Sequence, residues 1–166
     1  MRALLIPLAL ALNLLLAGTA WCVGKGEPAP DFVLPVLGGE TTKSLSASHG
    51  KVRYVDFWAS WCPPCRVSIP EIVALQRELG GSGFEVIGIN VDERTDDALK
   101  FLEHHPMNYD VLSDPRGATA AAYSLPGMPT SFVIDPEGRV TLVHVGFRRG
   151  DMVGIRAHIV ELLGRH

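Results

Sequence analysis

Two cysteines, Cys62 and Cys65, are separated by Pro63 and Pro64 within the run Trp61-Cys62-Pro63-Pro64-Cys65. Thiols at that spacing can close a small disulfide and open it again. Residues 52–58 (Val-Arg-Tyr-Val-Asp-Phe-Trp) read as a buried strand, and residues 66–79 read as a helix. The cysteines therefore fall where a strand ends and a helix begins. There the positive end of the helix dipole and the free N–H groups of the first turn both stabilise a thiolate, the species that attacks disulfides. Two other uses of the pair are weaker. A static bridge around two residues closes a very small loop and stabilises little. A zinc site needs about four ligands, and the sequence offers neither a second Cys-x-x-Cys nor a suitable histidine pair. The chemistry expected is thiol–disulfide exchange. Cys62 is the nucleophile, with the more exposed thiol and the lowered pKa; Cys65, about one helical turn on and more buried, is the resolving thiol.

The elements that must position this pair can be read on either side of it. Residues 21–29 form a linker, extended because Gly24, Gly26 and Pro28 oppose helix and strand. The folded domain is expected over residues 30–166. It opens with a β-hairpin signal, residues 31–37 and 40–42 around Gly38-Gly39. A short turn of helix follows at 44–49, and then the strand at 52–58. Pro70 is expected to kink or reset the helix that starts at the cysteines, and Ile72, Val73, Leu75 and Leu79 give that helix an apolar face. Residues 84–91 are a second central strand, rich in β-branched side chains. A helix is expected at 96–104 with Thr95 as its N-cap, a short strand at 109–112 and a short helix at 116–123. Residues 130–134 and 140–145 are strands joined by the turn Asp135-Pro136-Glu137-Gly138, and 151–163 is a closing amphipathic helix. This order specifies an α/β domain, a mixed central sheet with helices on both faces.

At 166 residues the chain is one domain with room for a substantial core. A net charge of −3 gives no electrostatic case for nucleic acid. Met1-Arg2 precedes a nearly unbroken apolar run to Ala20, the pattern of an export signal, and Gly18-Thr19-Ala20 suits a small-x-small cleavage site. The same residues 1–20 could remain as a membrane anchor, since about 17–25 residues span a bilayer. Either way the domain is placed in the periplasm, where disulfide chemistry matters. Cys22 is left over from the pair. Trp21 occupies the place where lipid attachment wants a small residue, so Cys22 reads as a spare thiol in the leader.

The run Val55-Asp56-Phe57-Trp58-Ala59-Ser60-Trp61-Cys62-Pro63-Pro64-Cys65 resembles the active-site segment of the thioredoxin superfamily. The leader, the hairpin, the βα material between Ile89 and Leu125 and the stretch 127–135 (Gly-Met-Pro-Thr-Ser-Phe-Val-Ile-Asp) resemble the exported TlpA/ResA-like branch of thiol–disulfide oxidoreductases. The resemblance covers roughly residues 30–163. It implies a thioredoxin fold with an N-terminal β-hairpin extension and a βα insertion. It also implies that Pro129 is a cis-proline facing the cysteines and presenting the Met128 backbone to an extended substrate segment. Asp56 matches the buried acid that handles protons for the resolving thiol. Trp61, Pro63 and Pro64 border the substrate surface, whereas Trp58 reads as core packing.

The same resemblance implies a reductase that needs no cofactor and no metal. Its substrates would be disulfides or dithiols of exported proteins, of the cytochrome c or copper-site maturation type, with a membrane thiol-transfer protein as electron donor. Three positions depart from it. Ser68 stands where some relatives carry glutamate, Gly88 where thioredoxin carries a lysine, and Thr130 where the cytochrome-maturation branch carries glutamate. Asp56 is thus expected to act alone or with Glu71. Two alternatives stay open: an oxidant that introduces disulfides, and a chaperone whose thiolates hold Cu(I), which soft thiolates favour. A peroxidase is weaker, because neither cysteine of the pair carries the Thr-x-x-Cys arrangement of peroxiredoxins: Ala59 stands three residues before Cys62, and Cys62 three before Cys65. His104, His105 and His144 are assigned no catalytic role.

Overall fold

A computed structural model describes residues 23–164. The expected export segment, residues 1–20, and Cys22 lie outside the described residues. The elements run β1 (Val33–Pro35), β2 (Thr42–Ser44), a 3-10 turn (Ser46–Ser48), β3 (Val52–Trp58), α1 (Pro63–Leu79), β4 (Phe84–Asn90), α2 (Thr95–His104), β5 (Asp110–Ser113), α3 (Ala118–Ala122), β6 (Thr130–Ile134), β7 (Val140–Val145) and α4 (Asp151–Leu163). Five strands form one mixed sheet in the order β5-β4-β3-β6-β7. β3, β4 and β5 are mutually parallel, and β6 runs antiparallel to both of its neighbours, β3 and β7. The central strand is β3, buried at every position, which is why its sequence is a nearly continuous apolar run rather than an alternating one.

Alternation along β3 divides the core. Val55 and Phe57 point to one face, where Ile87, Ile89, Phe132, Ile134 and Tyr123 at the end of α3 close around them. Tyr54 points to the other, covered by Ile72, Leu75 and Leu79 of α1 and by Met152, Ile155 and Ile159 of α4. Trp58 lies on that second face too, packed with Cys62, Cys65 and Ile69 of the α1 end and with Ala98 and Phe101 of α2. Helices therefore cover both faces. The hairpin β1–β2 docks at the β5 edge, through the Leu37 N–H on the Val111 carbonyl at 2.8 Å and through Lys43, which ion-pairs with Glu85 and Asp110.

Four details differ from the sequence expectations. α1 starts at Pro63, three residues earlier than expected, because proline is compatible with the first helical turn, where its missing N–H has no intrahelical role. The helix also runs unbroken through Pro70, so the lost hydrogen bond does not reset it. Thr95 is the first residue of α2 rather than its cap; Arg94 occupies the cap position without a side-chain bond. Residues 24–29, expected to be extended, instead turn at Lys25-Gly26, where the Glu27 N–H bonds the Gly24 carbonyl at 3.1 Å, and are pinned by backbone bonds, Gly26 N–H to Val140 O at 2.7 Å, Val140 N–H to Glu27 O at 2.9 Å and Ala29 N–H to Gly138 O at 2.9 Å. Among the described residues no helix is long and apolar enough to cross a membrane.

Candidate active site

Cys62 is the N-cap residue of α1, and its Sγ accepts the Cys65 N–H at 3.3 Å. Pro63 and Pro64 fill the first two helical positions and carry no N–H. A helix start normally offers several free donors to its cap; here the Cys65 N–H is the first that exists. The cysteines are joined as a disulfide with their Cα atoms 5.4 Å apart. In this closed state both sulfurs are shielded, Cys62 at 2 % exposure and Cys65 at none. The expected difference in accessibility is thus small until the bridge opens.

The loop that carries Cys62 is held from below. The Asp92 carboxylate is buried and accepts the Ser60 N–H at 3.0 Å and the Ser60 hydroxyl at 3.1 Å. Asn90 donates its side-chain amide to the same carboxylate at 2.8 Å. Arg66, in the first turns of α1, donates to the Ser60 carbonyl at 3.2 Å. Asn90 and Asp92 were not singled out from the sequence. Their signal was available: polar residues at, and two positions past, the carboxyl end of a parallel strand beside the site, where α/β sheets place functional groups.

Trp61 is the exposed member of the motif, 63 % accessible. It borders a groove of about 410 Å³ lined also by Val91, Asp92, Glu93, Arg94 and Asp97. Trp58 is fully buried, as expected for core packing. The Met128–Pro129 peptide bond is cis, and Met128 packs against the cluster that contains both cysteines. Thr130 is buried and donates to the Gly127 carbonyl at 2.8 Å, which closes the turn that carries Pro129.

Asp56 sits mid-strand on the face of β3 that α1 covers, 1 % exposed, between Gly88 of β4 and Ser131 of β6. Burial alone pushes its carboxyl up to about 8. No charged neighbour contributes to this shift. Ser68 spends its hydroxyl on the Cys65 carbonyl at 3.1 Å. Gly88 leaves its space to Tyr109. His144 bonds Asp151 at 3.1 Å, and His105 stacks on Phe101 at 4.3 Å between ring centres. Among the described residues no group of three or more His, Cys, Asp or Glu is placed to hold a metal.

One substitution follows from the missing donors. Pro64→Ala restores an N–H at the second helical position, within reach of a sulfur at the N-cap. The Cys62 thiolate gains a hydrogen bond, its pKa falls by about one unit, and the potential of the pair rises by about 30 mV. Ultraviolet thiolate titration and equilibration with a glutathione buffer read the two shifts. An unchanged pKa would mean that the first-turn donors do not set the thiolate.

Residues 25–143 match the AhpC/TSA family. The chain is 30 % identical to the thiol–disulfide oxidoreductase ResA of Bacillus subtilis over 131 residues, covering 79 % of this chain and 73 % of that one. It is 35 % identical to the thiol:disulfide interchange protein HelX of Rhodobacter capsulatus over 117 residues, 69 % of this chain and 64 % of that one. Among solved structures, a Chlorobium tepidum protein assigned as thiol:disulfide interchange protein DsbE superposes with a TM-score of 0.82 at 46 % identity, covering 86 % of this chain and 99 % of its own. With the dithiol at the start of α1 and the thioredoxin fold beneath it, the chain belongs to the thioredoxin-like AhpC/TSA family and is a thiol–disulfide oxidoreductase of the ResA and DsbE kind.

Proposed function

We propose that the protein works as a reductase of exported proteins in the periplasm. The observation that carries the direction is the start of α1. Strong oxidants of this chemistry owe their potential to a stabilised reduced form. Pro63 and Pro64 strip two N–H donors from the turn that would stabilise the Cys62 thiolate, which favours the disulfide of this pair and so makes the dithiol a donor of electrons.

The steps follow from the residues. The Cys62 thiolate attacks a substrate disulfide; one substrate sulfur leaves as a thiol and a mixed disulfide joins Cys62 to the other. Cys65 gives its proton to Asp56 and attacks the Cys62 sulfur. The second substrate thiol is released, and the Cys62–Cys65 disulfide remains, two electrons having passed to the substrate. A carboxyl with a proton affinity near neutrality can take that proton and return it. Trp61 and its groove receive the substrate segment on one side of the thiols, and Met128 and Pro129 receive it on the other. No cofactor beyond the dithiol is required.

The substrates in this reading are cysteine pairs of apocytochrome c or of copper-site proteins, and electrons return to the dithiol from a membrane thiol-transfer protein. Residues 1–20 serve as the export signal or tether, and 21–29 as the lead into the domain. Cys65→Ala tests this. With the resolving thiol removed, mixed disulfides at Cys62 should persist and be isolated from the periplasm under non-reducing conditions, with cytochrome or copper-site proteins among them. A Cys65→Ala protein that captures no exported thiol protein would contradict the reading.

A further inference from the structure

Three buried polar side-chain atoms around Gly88 have no protein hydrogen-bond partner: Oδ2 of Asp56, Nε1 of Trp58 and the hydroxyl of Tyr109. All three residues flank Gly88. Asp56 and Gly88 are register partners on adjacent parallel strands, so Asp56 and the side chains that pack over the Gly88 Cα lie on the same face of the sheet. A Cβ placed on Gly88 would lie 3.2 Å from Cε2 of Tyr109 and 3.4 Å from Nε1 of Trp58. The Asp56 charge acts on both nearby phenols, Tyr54 and Tyr109. Tyr54 already donates to the Ser131 hydroxyl at 2.8 Å, which leaves Tyr109 as the uncommitted hydroxyl.

Buried polar atoms without partners are rare, and a polar, enclosed site with two to four of them is where an internal water is held. The inventory is complementary: the Trp58 indole can only donate, an ionised Asp56 can only accept, and the Tyr109 hydroxyl can do both. We propose that Tyr109 and Trp58 hold a buried water against the Asp56 carboxyl, and that Tyr109 is thereby the positioning residue that sets the proton affinity of Asp56. This explains how Asp56 can ionise with no charged partner. The groups facing it are Gly88 on β4, Tyr109 ahead of β5, Ser131 on β6, Tyr54 and Trp58 on its own strand, and Cys65 and Ser68 on α1; none carries a fixed charge. A donor relayed through water is then the available means of stabilising the carboxylate.

The inference rests on the proposed role of Asp56 but can be tested apart from it. The ¹³C carboxyl resonance of Asp56 is followed against pH in the oxidised protein and in its Tyr109→Phe variant. The phenyl ring keeps its packing and only the hydroxyl is lost. Removing the donor disfavours the carboxylate, so the midpoint should rise, by about one pH unit. The pH profile of disulfide reduction should move in the same direction by the same amount, whereas a packing role would lower the rate at all pH values alike. An unchanged Asp56 midpoint in Tyr109→Phe would overturn the inference. A shifted carboxyl midpoint beside a pH–rate profile that stays in place would instead keep Tyr109 as the residue that tunes Asp56 and remove Asp56 from the resolving step.

Discussion

Cys62→Ser is expected to lose disulfide-reducing turnover by on the order of 10³-fold or more, because removal of an attacking nucleophile leaves only binding and background chemistry. The fold should survive the change, since serine is smaller than cysteine at a position whose backbone is fixed by the Ala59 carbonyl and the start of α1. The two cysteines should also fail differently. Cys65→Ala retains the attacking thiol and should form mixed disulfides without releasing product, whereas Cys62→Ser should form none. Turnover with a fluorogenic disulfide substrate, followed by mass spectrometry of the enzyme, reads both. Equal trapping by the two variants would contradict the assignment of nucleophile and resolving thiol.

Asp56→Asn is expected to change the pH dependence of stability. The folded carboxyl titrates near about 8, well above its ordinary value of 3.8. Between those values the folded protein holds a proton that the unfolded chain has released. Stability therefore falls as pH rises through this window, by up to about 1.4 kcal/mol per pH unit, and levels off above the folded pKa. Over the whole window the loss is at most about 6 kcal/mol. Asparagine cannot ionise, so this component should vanish, and the variant should be the more stable protein at pH 8 by a few kcal/mol. Urea unfolding of the oxidised proteins at a series of pH values measures the difference. Parallel stability curves for the two proteins would mean that Asp56 is not a proton-holding buried acid. Its expected functional counterpart is a slower release of the mixed disulfide near neutral pH.

Why one residue carries both effects is visible in its placement. A buried, unpaired carboxyl in a central strand is costly to the fold whenever it is charged. That cost and the near-neutral proton affinity have one cause, exclusion from water. Proton handling at the resolving thiol is thus expected to be obtained at the expense of stability at alkaline pH.

Much of the scaffold was legible in the residues. β3, β6, β7 and α4 have the bounds expected for 52–58, 130–134, 140–145 and 151–163. Their runs are strongly apolar or amphipathic, and Gly and Pro mark their ends. The α1 boundary was misplaced because Pro63 and Pro64 look like breakers when read singly, and only the helix that follows shows them to be first-turn residues. Cys62 and Cys65 stood out because their chemistry and spacing are local, and Asp56 because the run 55–65 resembles the thioredoxin active-site segment. Asn90, Asp92 and Tyr109 did not, because each acts through a neighbour brought by the sheet rather than by the chain: Asp92 through Ser60, and Tyr109 through its packing over Gly88. The backbone pairing of residues 24–29 with 138–140 was equally hidden, since main-chain donors and acceptors carry no side-chain signature.

The reduction potential of the Cys62–Cys65 pair, measured by equilibration in a defined thiol buffer, tests the direction of the chemistry most directly. A value near about −270 mV, in the range of thioredoxin, is expected for a donor of electrons. A value near about −120 mV, in the range of strong disulfide-introducing oxidants, would contradict the reductase role and reverse the flow of electrons through the site.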